Sequence, residues 1–580
     1  MMTAKPAPPP PKFGPRSEQH AYAEVREPDT HRLEHYALPM RSAYNPEWRE
    51  ILREAGYPTD VLVLDFETYF DDAYSMRGNK LGTVEYIQDP RFEVLGVAAL
   101  IVKQPFIDYE AQTQWYAGEA DTQRHFDWLQ QAYGQDWGKL TVVAQNATFD
   151  GAILAFRYDI HPRYFIDELG LARHWNSRTR NDLDTLAKRY KLPEKGDTAD
   201  FKEATFRPGR RKKPRGRTKQ AKLPVQIPVM GEEQALALGQ YARNDVMREW
   251  ELFTLLLPKL STPGFELRIM QHTLELFWKP RLWVDPKKGL DLVEQMEAEI
   301  DKTVEAAGDG LTRQAISGET TFEALLEERL RAADPDDPRP LNGYTKPAKN
   351  NKGWKFAIAK DDPERELLEA HQDPAVRSLI AARNAVKSWP LHIARIERIA
   401  RQAEAMGWPE GGDWYGPMPV PLRYHGAHTG RWSGAEKINL QNLGSRGHPL
   451  VSAVREMLVA PTGETLVIAD ASQIEARVLA WIADQQDLAA KFENGDEIYC
   501  RFAEKVLGKP EGYYRKPRAD GIPAVEKRHK WARNTIGKVG VLGCGYGMGA
   551  SKAIAFAGGE LDVATAERLV ATYREENAQI

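Results

Sequence analysis

Val61-Leu62-Val63-Leu64-Asp65-Phe66-Glu67-Thr68 is the stretch on which the reading of the fold turns. Its first four residues form a short apolar and β-branched run, the signature of a buried strand. Side chains alternate along a strand, so Asp65 and Glu67 project from the same face at its end. A second apolar run, Leu140-Thr141-Val142-Val143-Ala144, leads into Gln145-Asn146-Ala147-Thr148-Phe149-Asp150. Helical patterns follow over Leu183 to Tyr190 and over Glu232 to Leu257. Strands alternating with helices predict an α/β domain up to about residue 260.

Outward from that core, the bulk numbers narrow the class. At roughly 100–200 residues per domain, 580 residues predict three to five units. With 42% hydrophobic and 28% charged residues, the chain reads as globular protein, not collagen-like, coiled-coil or wholly disordered. No run of about 18 apolar residues occurs, so no membrane span is expected. The opening MMTAKPAPPPPKFGPR has no apolar signal core. Two cysteines, Cys500 and Cys544, cannot build a disulfide framework. Together these features predict a cytoplasmic location. The net charge of −4 (79 basic, 83 acidic) gives no global attraction to nucleic acid, so any attraction must be local. Two basic runs qualify. Arg207 to Lys222 holds nine bases and no acid; Lys509 to Lys538 holds nine bases and three acids. Each reads as a solvated segment or as a phosphate-binding surface.

Asp65, Glu67, Asp150 and Asp245 are hard oxygen donors of the kind that suits Mg²⁺ or Mn²⁺. Tyr241 and Asp245 are four apart on a helical pattern and share a face. Two ions about 4 Å apart can activate water and stabilise a leaving oxygen in phosphodiester hydrolysis. Taken singly, each acid reads as a solvated or capping carboxylate. Taken in order, DxE, NAxFD and YxxxD resemble the DEDDy 3′–5′ exonucleases, with further matches at Asp167-Glu168-Leu169 and over Leu183 to Tyr190. The resemblance spans about residues 59–260. It implies an RNase H-like domain in which the four acids hold two metal ions and Tyr241 positions the attacking water.

A second set begins at His428-Thr429-Gly430-Arg431-Trp432-Ser433-Gly434 and continues through Asn439-Leu440-Gln441-Asn442-Leu443 and Val454-Arg455-Glu456-Met457. It then reaches Leu466-Val467-Ile468-Ala469, read as a buried strand, and Asp470-Ala471-Ser472-Gln473-Ile474-Glu475-Ala476-Arg477. These segments resemble family A DNA polymerases, in particular phage versions fused to a proofreading domain. The resemblance implies that Asp470 ligates two catalytic magnesium ions. It implies that Glu475 sits under the incoming sugar of a dNTP, and that Arg431, Gln441 and Arg455 contact primer–template DNA. Arg383-Asn384-Ala385-Val386-Lys387 resembles the segment that grips the duplex backbone, through Lys387. Lys538 to Tyr546 resembles the fingers motif, with Lys538 on the triphosphate as a catalytic cation and Tyr546 near the templating base. Read without the resemblance, Asp470 is a helix N-cap. The family arginine four residues before the lysine is Asn534 here. Arg533 lies five before, about 140° away around an ideal helix, so it reaches the same face only if the helix is distorted.

The fold expected is therefore α/β: an RNase H-like exonuclease followed by a partial right-hand polymerase. The expected boundaries are a Pro-rich arm (1–58), the exonuclease (59–262), thumb helices (263–410), the first part of the palm (411–485) and incomplete fingers (486–580). The family's second palm acid lies in a His-Asp-Glu-type motif, and no such triplet occurs in this sequence. Three explanations stand: a second polypeptide carries the rest of the palm, the sequence is truncated, or the polymerase half only binds DNA. The setting expected is a bacterial or phage-infected cell.

Overall fold

A computed structural model of the chain describes residues 47–71, 73–103, 112–193, 232–335, 343–347, 354–358, 362–407, 415–443, 449–461, 463–514, 529–557 and 560–580. The basic run 207–222, residues 1–46 of the arm and residues 515–528 of the run 509–538 lie outside these residues. Two compact units form: Met1–Gln295 with His392–Thr465, and Met296–Leu391 with Leu466–Ile580. The expected thumb and the expected palm are each shared between the two units.

A five-stranded sheet organises the first unit. Its strands are β1 (Val61–Thr68), β2 (Val94–Val102), β3 (Gln114–Ala117), β4 (Thr141–Ala144) and β5 (Phe165–Asp167). Their spatial order is β3-β2-β1-β4-β5. The β3, β2 and β1 neighbours are antiparallel, and β4 and β5 run parallel to β1. Central β1 is covered on both faces, which is why it reads as a continuous apolar run. Leu62, Leu64 and Phe66 enter one core with Phe126, Ile153 and Leu154. Val61 and Val63 enter the other with Trp48, Leu52, Val246, Trp250 and Phe253. Each fully buried Val or Leu is worth about 1.5–3 kcal/mol of removed apolar surface.

Among the helices packed on this frame are α1 (Glu47–Ala55), α2 (Ala147–Tyr158), α3 (Glu168–Trp175), α4 (Glu232–Leu256) and α5 (Pro263–Trp278). Helix α1 departs from the sequence reading, which left residues up to 58 in an arm. Trp48, Leu52 and Ala55 recur at i, i+4 and i+7 and are all buried. The single helical stripe was masked by its Pro-rich neighbours.

In the second unit the described residues 474–580 pack around Ala480, Phe492, Tyr499, Phe502, Val541, Leu569 and Tyr573. The expected buried strand at Leu466–Ala469 is absent. The segment belongs to no strand, with Val467 87% and Ile468 91% exposed. Its β-branched composition favours a strand, but among the described residues no neighbour supplies the ladder, and strand propensity alone does not make one. Among the described residues, no helix is long and apolar enough to cross a membrane.

Gly151 lets α2 close on α5: a Cβ there would fall 1.8 Å from a ring atom of Trp278, which is 2% exposed. Gly151→Ala should therefore destabilise the chain by about 1–3 kcal/mol, as overpacking of a fixed core does. Gly264→Ala, whose Cβ would make only an ordinary 3.7 Å contact with Ala55, should be neutral or slightly stabilising. Denaturant unfolding of the two variants checks the pair, and equal midpoints would refute the contact.

Candidate functional site

Alternation along β1 puts Asp65 and Glu67 on the face that carries Val61 and Val63, the face packed against α4. That helix carries Tyr241 and Asp245. Asp150 enters from the first turn of α2, where it is 2% exposed and accepts a hydrogen bond from the Phe66 N–H at 3.3 Å. Burial, and then the Asp65 carboxylate, hold Asp150 well above the usual carboxylate range. Asp245 is 3% exposed and pairs with Arg248 Nη1 at 2.6 Å. Arg248 Nε also donates to the Pro193 carbonyl at 2.8 Å.

Two carboxylates join this cluster. Glu249 is 2% exposed, and burial, followed by Asp65, Glu168, Asp150 and Asp245, pushes its carboxyl well up. Glu168 is fully buried, and burial, then Asp167, raises it as well. Both Glu168 oxygens and Glu249 Oε2 have no hydrogen-bond partner among the described residues. Asp65, Asp150 and Asp245 all act electrostatically on Glu249, which groups these three sequence-predicted residues around one buried carboxyl. Glu67 sits beside Tyr86, whose hydroxyl is also 3.0 Å from Thr68 Oγ1. Orphaned carboxylate oxygens in a buried, oxygen-only donor set fit Mg²⁺ or Mn²⁺. Glu249 and Arg248 were not singled out in the sequence. The signal was their i+4 and i+3 spacing from Asp245.

The residues of the second set lie in both units. In the first, Arg431, Gln441 and Arg455 are exposed. Arg455 Nε donates to the Leu443 carbonyl at 2.6 Å, which fixes it to the loop that follows Gln441. Trp432 Nε1 donates to Thr273 Oγ1 at 2.9 Å and anchors the Arg431 loop to α5. In the second unit, Lys387 is exposed on helix Pro374–Met406. Asp470 is exposed on the unpaired segment and caps no helix, because Gln473 (φ 56°) is the N-cap of Ile474–Ile482. Glu475 stands in the first turn of that helix. Lys538 ends a π-helical stretch, Ala532–Lys538, and Tyr546 is 75% exposed just past helix Val539–Gly545.

The π-helix supplies the distortion that an arginine five residues before Lys538 requires, since i→i+5 turns bring such residues toward one face. Arg533 is nevertheless engaged elsewhere. Its Nη2 and Nε lie 2.9 and 3.0 Å from Glu497 Oε1, and its guanidinium lies over Tyr499. A Cβ on Gly537 would fall 2.0 Å from the Tyr499 carbonyl oxygen, so only glycine admits this close approach.

Comparison with known proteins gives a consistent result. Residues 420–580 match the family model described as DNA polymerase family A. DNA polymerase I, thermostable, of Thermus thermophilus is 41% identical over 85 residues, which is 14% of this chain and 10% of that protein. DNA polymerase I of Deinococcus radiodurans is 37% identical over 124 residues, 21% of this chain and 11% of that one. The chain thus spans about a tenth of the length of the curated relatives it matches. Among solved structures, the POL domain of Pol1 from M. smegmatis, in complex with DNA primer-template and dNTP, aligns with a TM-score of 0.55. The alignment covers 92% of this chain and 76% of that one at 17% identity, a likeness of fold. Over its C-terminal part the chain is therefore similar to family A DNA polymerases, on a mixed α/β polymerase fold.

The buried acids have a consequence for pH. A carboxyl raised in the fold holds a proton that the unfolded chain has released, so stability falls as pH climbs from the ordinary carboxylate range toward the raised value. Without divalent metal at pH 8, Glu249→Gln should therefore stabilise the chain by on the order of 1 kcal/mol or more, because the amide cannot take on the charge that burial and the neighbouring acids oppose. The gain should shrink toward pH 5, where Glu249 is protonated more of the time. Thermal unfolding in chelator at both pH values checks this; a gain that does not depend on pH would refute it.

Proposed function

We propose that the chain is a family A-type DNA polymerase chain whose residues 59–262 form a 3′–5′ exonuclease. The observation that carries the exonuclease reading is the convergence of Asp65, Asp150 and Asp245 at the end of a central strand, with Tyr241 one turn before Asp245. The strand order β3-β2-β1-β4-β5, antiparallel then parallel, supports an RNase H-like domain. Asp65, Glu67, Asp150 and Asp245 would hold two Mg²⁺ or Mn²⁺ ions. Such ions supply charge neutralisation and an activated water for attack on a phosphodiester. The chain's own contributions are distinct. Arg248 holds Asp245 in place, the Phe66 N–H fixes Asp150, and the Tyr241 hydroxyl orients the water.

The match of residues 420–580 supports template-directed synthesis from dNTPs on primer–template DNA. Lys387, Arg431, Gln441 and Arg455 would bind the duplex, Lys538 the triphosphate, Glu475 the sugar, and Tyr546 the template base. Asp470 and two Mg²⁺ ions would form half of the nucleotidyl-transfer site. Its exposed, unpaired segment supports the narrower reading that a strand must be added beside it. In that reading the rest of the palm, joined to this polypeptide or carried by a second one, brings the other carboxylate. The runner-up, an exonuclease whose polymerase half only positions DNA, draws on the same exposed segment.

Two measurements test these readings. With Mg²⁺, the chain should degrade single-stranded DNA from its 3′ end, and Asp65→Ala with Glu67→Ala should cut the rate by several orders of magnitude. Digestion at the parent rate by the double variant would overturn the exonuclease. The chain alone should bind primer–template but extend it poorly. A palm fragment with a His-Asp-Glu-type motif should restore extension, and Asp470→Ala should abolish what is restored. Robust synthesis by these 580 residues alone would refute the half-site.

A further inference from the structure

Three side chains outside both sites meet in the first unit. His174 lies in the last turn of α3, Glu266 in the first turn of α5, and His425 in the loop after the Leu422–Arg423 strand. One ligand atom from each lies within 4.8 Å of the others, and all three residues are half-buried. The two imidazole rings are 4.4 Å apart. His425 has φ 47°, a conformation that histidine tolerates better than most residues. The backbone of Gly430 backs its ring: a Cβ there would come within 3.2 Å of it. The Tyr424 hydroxyl donates to Glu266, and its oxygen is 3.0 Å from His174 Nδ1.

We infer that His174, Glu266 and His425 form a binding site for a zinc-class divalent cation, with the Tyr424 oxygen as fourth donor or replaced by water. Two imidazoles and one carboxylate are a donor set that selects zinc over magnesium. Zinc takes these ligands at about 2.0–2.2 Å, so binding draws the three atoms together by roughly 1 Å. His425 also lines an open hollow of about 620 Å³ with Arg173, Arg180 and Asn181, which gives the ion a path from solvent. A bound ion fastens α3 and α5 to the loop that precedes the Arg431 motif. The site does not depend on the nuclease or polymerase readings.

The alternative is a hydrogen-bonded cluster closed by Tyr424 with no metal, and the test separates the two. Full-length chain carrying Asp65→Ala and Glu67→Ala, which disables the carboxylate cluster, is stripped with chelator. It is then titrated with Zn²⁺ in excess Mg²⁺, and separately with Co²⁺ followed by visible absorption. One ion per chain and an intense, low-coordination cobalt band are expected. His425→Asn, which keeps a residue suited to positive φ, and Glu266→Gln should each weaken zinc binding by about 100-fold or more. Tyr424→Phe should weaken it far less. The inference is overturned if the parent binds no zinc in excess Mg²⁺. It is also overturned if folded His425→Asn, verified by circular dichroism, binds zinc as tightly as the parent. If that variant does not fold, the parent's stoichiometry and Glu266→Gln decide: zinc held as tightly by folded Glu266→Gln as by the parent refutes the site.

Discussion

Alternation along one buried strand sets the rest of the first unit. Val61 and Val63 need an apolar layer, and α4 supplies it through Val246, Trp250 and Phe253. Positions 65 and 67 then face the same layer, and there they are acids. The helix answers with Asp245 and Glu249, so like charges meet where water is scarce. Such crowding is costly unless protons, cations or fixed donors offset it. Arg248 and the Phe66 N–H supply part of that offset, and raised carboxyls supply more. What remains of that cost is what a divalent cation would offset on the reading proposed above.

Much of this was legible in the sequence because it is local. A four-residue apolar run, period two and a helical spacing of four fix which acids share a face. The strand order and the partner of each acid were not legible in the same way. Glu249 looks like any helical surface glutamate until Trp250 and Val246 are seen to turn that side of α4 inward. The stripe Trp48, Leu52 and Ala55 was hidden by proline-rich neighbours. At Leu466–Ala469 the error ran the other way. Composition read correctly as strand-forming, but a strand is a property of pairs, and nothing in one segment reports whether its partner is present.

The second unit shows a different limit. Register around a helix assumes a uniform 100° per residue, and that assumption separated Arg533 from Lys538. The seven residues Ala532–Lys538 break it. Gly537 against the Tyr499 carbonyl explains how the backbone comes so near its neighbour, but the glycine alone did not announce a π-turn. The motif resemblance located the residues, and the packing determined what they touch.

That wide turn works like a gear with one tooth of slack. Its anchored side is the buried Ile536–Gly537 contact on helix Ile498–Val506. Taking the extra residue out of the turn restores ordinary pitch and swings the preceding residues by about 100° about the helix axis. Trp531 and Arg533 lie on the preceding side, where Trp531 Nε1 donates to Glu560 and Arg533 pairs with Glu497 and lies over the Tyr499 ring. Ala532, fully buried between them, ties that side to the core as well, so any change of pitch here would have to repack the core in addition to releasing both carboxylate contacts.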